Sequence, residues 1–116
     1  MARMPIVVIP SDDPVSNLPG RTAPVVAEHA FGLMLAVAKR AAWYTDQLRQ
    51  GRWVKKDLLL LQGKTVGVIG AGPIAQRFAS LCRGIGMKVI GWTFHPSAER
   101  ARQIGIDFVP LDELLQ

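Results

Sequence analysis

The chain has 116 residues, 49% of them hydrophobic and 20% charged, a composition that excludes wholesale disorder and predicts a single domain. That length is too short for an enzyme built from two full domains with a cleft between them. The net charge is +5, but the cations are scattered, the densest stretch is Arg49 to Lys56, and no zinc spacing, aromatic RNA-binding signature or basic-zipper heptad accompanies them, so the charge reads as solvated surface and no nucleic-acid partner is expected.

Residues 1–23 form the first expected unit, an extended proline-rich segment punctuated by Pro5, Pro10, Pro14 and Pro19. Its one strand-like piece is Ile6 to Ile9. Its apolar runs are too short for a signal peptide. The second unit, residues 24–116, opens with what the pattern predicts as one long helix from Pro24 to Gln50. Pro24 suits a first-turn position, Thr22 suits the cap and Gly51 suits the stop. One apolar stripe runs Val26, Ala30, Leu33, Val37, Ala41, Tyr44, Leu48, and a second runs Ala27, Phe31, Met34, Leu35, Ala38, Ala42. The first half is therefore apolar nearly all round and should be buried on more than one side, by another copy of the chain or a further domain. The longest charge-free apolar run, Ala30 to Ala38, is far short of the ~20 residues of a membrane span, and no membrane partner is expected. His29 has no catalytic or metal-binding company, since the other histidine is His95, and reads as a structural hydrogen-bonding residue. The run Leu58 to Leu61 reads as core filler.

The informative half is 65–109. Thr65 to Ile69 is a β-rich run of the kind buried on both faces of a parallel sheet. It leads directly into Gly70-Ala71-Gly72-Pro73-Ile74-Ala75 and then a helical pattern through Ile74, Phe78, Leu81 and Ile85, ended by Gly84 and Gly86. Lys88 to Thr93 reads as a second strand. Ser97 caps a short helix, Ala98 to Ile104, closed by Gly105. Ile106 to Val109 reads as a third strand, and Pro110 begins another helix. A single cysteine, Cys82, rules out a disulfide within the chain and a metal site built from cysteine pairs, and fits an intracellular, cytoplasmic setting.

The order β-α-β-α-β with Gly-x-Gly-x-x-Ala at the first strand-to-helix turn is the dinucleotide-binding fingerprint. Gly70 permits the tight turn. Gly72 leaves the backbone open to a pyrophosphate, and Ala75 keeps helix and strand close. Pro73 and Ile74 open the helix whose free N–H groups face the phosphates. The fingerprint expects Asp or Glu at the end of the second strand to hold the adenosine ribose. Thr93 stands there instead. Thr93 can still hydrogen-bond an NAD ribose, while His95, Arg100 or Arg77 can attract the 2′-phosphate of NADP, so both cofactors stay open.

These residues resemble a known family. Pro14 to Gly20, Val26 to Ala30, Gly63 to Ala75 and Ile104 to Leu114 are similar, in matching order, to stretches of the D-isomer-specific 2-hydroxyacid dehydrogenases. The resemblance implies an α/β fold, half of a Rossmann-type dinucleotide-binding fold with three parallel strands preceded by a long helix. It implies cofactor contacts at Pro73 and Ile74, and a homo-oligomer formed through the long helix. It implies hydride transfer between the nicotinamide of NAD or NADP and a 2-hydroxy or 2-oxo acid. The family's catalytic Arg, Glu and His fall downstream of Gln116, so no catalytic residue is assigned here. The chain is expected to be a fragment, inactive alone; the second reading is a non-catalytic nucleotide-binding module. The strand at 66–69, central in a full fold, is expected to have its open edge covered by Ile6 to Ile9 or by a second copy.

Overall fold

The computed structural model describes residues 21–116. The expectations for the proline-rich segment, its strand at 6–9 and its cover over the sheet edge lie outside the described residues. The elements run α1 (Ala23–Ala38), α2 (Ala41–Arg49), β1 (Thr65–Ile69), α3 (Pro73–Gly84), β2 (Lys88–Trp92), α4 (Ala98–Ile104), β3 (Asp107–Phe108) and α5 (Leu111–Leu114). The strands form one parallel sheet in the order β1-β2-β3. This is the expected α/β half-fold. Each connection in it carries a helix, as parallel pairing requires.

Register decides which residues meet. Val66 pairs with Val89 and Val68 with Gly91. Side chains alternate along a strand, so these residues share one face of the sheet. That face holds the core, where Val68, Val89, Ile106 and Met87 pack with Ala79 and Cys82 of α3, Ala38 of α1 and Leu61. On the opposite face α5 closes over β1, with Leu114 Cγ only 3.1 Å from where a Cβ on Gly67 would stand. Cys82 is fully buried, and burial pushes its thiol pKa up, opposed by the lesser pull of Arg83.

The local signals in the second half act as expected. Ser97 Oγ accepts from Arg100 N at 3.1 Å and caps α4. Gly105 ends α4 at φ 67°, and Gly86 turns the chain after α3 at φ 82°. The third strand is shorter than the sequence suggests. Ile106 N turns back to Ala101 O at 3.3 Å, and Val109 N reaches Gly91 O at 2.9 Å beyond the strand proper.

Two expectations are corrected. The helix predicted over 24–50 is two helices, because Arg40 takes a left-handed conformation at φ 50°. No glycine or proline marks that break. The cause is tertiary: Leu59 N donates to Ala38 O at 3.1 Å and Lys39 Nζ donates to Leu59 O at 2.7 Å, so a later segment takes over the end of α1. Second, of the leucine run only Leu61 enters the core, while Leu58, Leu59 and Leu60 are exposed. Within the described residues α1 packs on α3, and Val25, Leu33 and Val37 on its other side stay exposed, the surface expected to meet another copy or a further domain.

Gly91 is the tightest point of the sheet. A Cβ there would lie 2.6 Å from Ile106 Cγ2 and 3.2 Å from Val68 Cγ2. Overpacking of this kind costs about 1–3 kcal/mol. Gly91→Ala is therefore expected to lower the urea midpoint, and an unchanged midpoint would show that the β2–β3 layer has slack the packing does not suggest.

Candidate functional site

The site grows from the end of β1. Gly70 N donates to Trp92 O at 2.7 Å, which holds the ends of β1 and β2 level. Gly70 then turns at φ 106°, a conformation that L side chains rarely adopt. Gly72 caps α3 in extended conformation, and Pro73 occupies the first turn. The first helical bond is Gln76 N to Gly72 O at 3.0 Å. The amides of Gly72, Ile74 and Ala75 precede it and have no acceptor among the described residues, as at any helix start. No acidic residue lies in that first turn, so the positive end of the helix is not neutralised locally.

Above this turn is a cleft of about 460 Å³ whose lining includes Gly70, Gly72, Pro73, Ile74 and Ala75 with Ala30 of α1. No titratable side chain among the described residues lines it. A Cβ added at Gly72 would meet nothing within 4 Å, and Gly72 has an ordinary φ of −75°. Neither packing among the described residues nor backbone strain therefore requires glycine at this position. The open space and the free amides fit the pyrophosphate of a dinucleotide.

Five of the sequence-predicted residues thus meet in one cleft. Thr93 and His95 do not line it. The register that pairs Ile69 with Trp92 sets Thr93 level with Gly70, half-buried just past β2, and His95 is exposed on the loop beyond. Phe94 packs edge-on against Trp92 at 4.7 Å between ring centroids. Arg77 is exposed, and its side chain makes no hydrogen bond within the described residues. Arg100 is half-buried, with Nη2 donating to Ala71 O at 3.1 Å. Gln76 Nε2 donates to the same oxygen at 3.0 Å. Sequence reading missed Gln76 and Ala30: Ala30 enters through the packing of α1, and Gln76 through a bond to a backbone carbonyl, an acceptor that every residue carries. His29 is exposed, and its side chain makes no hydrogen bond among the described residues.

A wider cleft of about 530 Å³ lies between α2 and the following loop, with Tyr44, Trp53 and Lys56 in its wall. Its tyrosine hydroxyl is already used. Tyr44 OH accepts from Lys56 N at 2.7 Å and donates to Lys56 O at 2.8 Å. Among the described residues no group of His, Cys, Asp and Glu is placed to hold a metal, and no helix is long and apolar enough to cross a membrane.

A parallel βαβ unit with an open glycine turn defines a dinucleotide-binding domain of the Rossmann type. Residues 31–116 match the family described as D-isomer specific 2-hydroxyacid dehydrogenase, NAD binding domain. The chain belongs to that family, and its cofactor is NAD or NADP. It is 42% identical over 104 residues to a hydroxypyruvate reductase of Thermotoga maritima, covering 88% of this chain and 33% of the relative. It is 39% identical over 103 residues to a D-3-phosphoglycerate dehydrogenase of Archaeoglobus fulgidus, covering 87% of this chain and 20% of the relative. Among solved structures, the pyruvate reductase of Chlamydomonas reinhardtii superposes with a TM-score of 0.70 at 35% identity, over 80% of this chain and 28% of that one. The chain thus spans a third or less of the length of these relatives.

The open space over Gly72 gives a direct test. Gly72→Val is expected to fold as the wild type does and to bind NADH at least about tenfold more weakly, a loss of roughly 1.4 kcal/mol. Unchanged NADH affinity in the folded variant would remove the cleft from the cofactor site.

Proposed function

We propose that residues 24–116 supply the adenosine and pyrophosphate half of the cofactor site of a D-2-hydroxyacid dehydrogenase. The observation that carries this reading is the unfilled space over Gly72 at the unneutralised start of α3. The N–H groups of Gly72, Ile74 and Ala75 donate to the pyrophosphate, and Gly70 and Pro73 hold the turn that aims them. Thr93 donates to or accepts from a ribose hydroxyl. With no carboxylate at that position, nothing there repels a 2′-phosphate, and His95 stands on the phosphate side. Both NAD and NADP are therefore accepted. The bound nicotinamide exchanges a hydride with the substrate carbon.

The relatives' names speak of hydroxypyruvate, phosphoglycerate and pyruvate, which share a 2-oxo or 2-hydroxy acid group. That group is the substrate class proposed for the whole enzyme. Among the described residues the cleft lining has no titratable group, which suits binding without proton transfer. The Arg, Glu and His implied by the family belong to residues outside this chain. Alone, the chain is a cofactor-binding fragment without turnover. The exposed apolar side of α1, with Val25, Leu33 and Val37, favours self-association through that helix. A reducing cytoplasmic setting fits the single buried thiol of Cys82.

Titration of the purified chain with NADH and NADPH, read through Trp92 fluorescence, is expected to give saturable binding of both. Under the same conditions glyoxylate and hydroxypyruvate are expected to give no turnover. Absence of binding by folded protein would contradict the cofactor assignment, and measurable turnover would contradict the inactivity of the chain alone.

A further inference from the structure

The carbonyl of Ala71 lies inside the glycine turn, and two side chains hold it. Arg100 Nη2 donates to it from α4, 29 residues away in sequence, at 3.1 Å, and Gln76 Nε2 donates from the first turn of α3 at 3.0 Å. Ala71 itself is buried, and both bonds are partly shielded from water. Arg100 is in turn fixed at its own backbone, where its N–H is held by Ser97 Oγ.

A trans peptide holds its C=O and N–H in one plane, pointing in opposite directions. Fixing the Ala71 carbonyl toward Arg100 and Gln76 therefore fixes the Gly72 N–H in the opposite direction. That N–H has no acceptor among the described residues, and it belongs to the residue with open space around it. We propose that Arg100 is a positioning residue for the dinucleotide: through the Ala71 carbonyl it locks the Ala71–Gly72 peptide with the Gly72 N–H presented to the pyrophosphate. Gln76 is its partner in this. The inference rests on the reading of the cleft as a pyrophosphate site.

The arrangement also links the two ends of the cofactor site. Arg100 lies in the first turn of α4, the helix that follows the loop carrying Thr93 and His95. A hydrogen bond from its guanidinium therefore ties the ribose side of the site to the glycine turn. A charged donor holds a carbonyl more firmly than a neutral one, which suits a turn with glycine on both sides of Ala71.

The test uses ADP, which carries the pyrophosphate, and adenosine, which does not. Arg100→Met is expected to weaken ADP binding about tenfold, the usual scale for losing one hydrogen bond from a charged group. Adenosine affinity and the far-UV circular dichroism are expected to stay those of the wild type. Arg100→Lys, which keeps one charged donor, is expected to recover part of the loss, and Gln76→Met to weaken ADP binding in the same selective way. Three results overturn the inference: unchanged ADP affinity in Arg100→Met, an equal fall for adenosine, or a loss confined to NADPH with NADH unaffected, which would make Arg100 a direct contact of the 2′-phosphate. Failure of the wild type itself to bind ADP or NADH overturns the cofactor reading and this inference with it.

Discussion

The turn at Gly70 is the constraint on which the rest depends. At φ 106° it takes the chain out of β1 and into α3 within three residues. Its amide is spent on Trp92 O, so the turn is anchored to the neighbouring strand. From that anchor the other features follow. The start of α3 is held at the carboxyl end of a parallel sheet, where α/β folds place their ligands. The helix then lies back across the sheet, where Ala79 and Cys82 can pack on Val68 and Val89. An L side chain at position 70 would strain the turn and move the helix start together with its free amides.

Most of this architecture was legible in the sequence because its signals are local. The glycines at 70, 86 and 105 take the positive φ values that only glycine adopts readily, and Ser97 caps where its hydroxyl can reach a free amide. β1 spans Thr65–Ile69, as its β-branched run suggests. The break at Arg40 was not legible, since a non-glycine left-handed residue has no sequence marker. It arises from the pairing of Leu59 with the end of α1, a contact across the chain. The leucines at 58–60 misled for a related reason: apolar character sets a preference for burial, and the surface available to satisfy it depends on what packs there. In the site, the glycine turn was legible residue by residue. The Arg100–Ala71–Gln76 bonding was not, because a carbonyl acceptor belongs to every residue and its partner cannot be read from spacing.

The molecule divides into a satisfied half and an exposed half. Around β2 the packing is tight enough that Gly91 leaves no room for a methyl group. Around α1 and the loop before β1, Leu33, Val37, Leu58 and Leu60 face outward, and Ile69 at the sheet edge is 65% exposed. Burial of such side chains contributes roughly 1.5–3 kcal/mol each when a surface is provided. The exposed half therefore gains most from association, and the satisfied half is the part that can hold a ligand without help. The glycine turn lies on the boundary, with Ala30 of α1 contributing to its cleft.

The central claim is that the start of α3 receives a pyrophosphate. A titration of ¹⁵N-labelled protein with NADH, followed by amide nuclear magnetic resonance, tests it residue by residue. The account predicts that the amides of Gly72, Ile74 and Ala75 move first and furthest, with Thr93 following, while those around Tyr44 and Trp53 stay still. Saturable binding that shifts the Tyr44–Trp53 cleft and leaves Gly72 to Ala75 unmoved would contradict it.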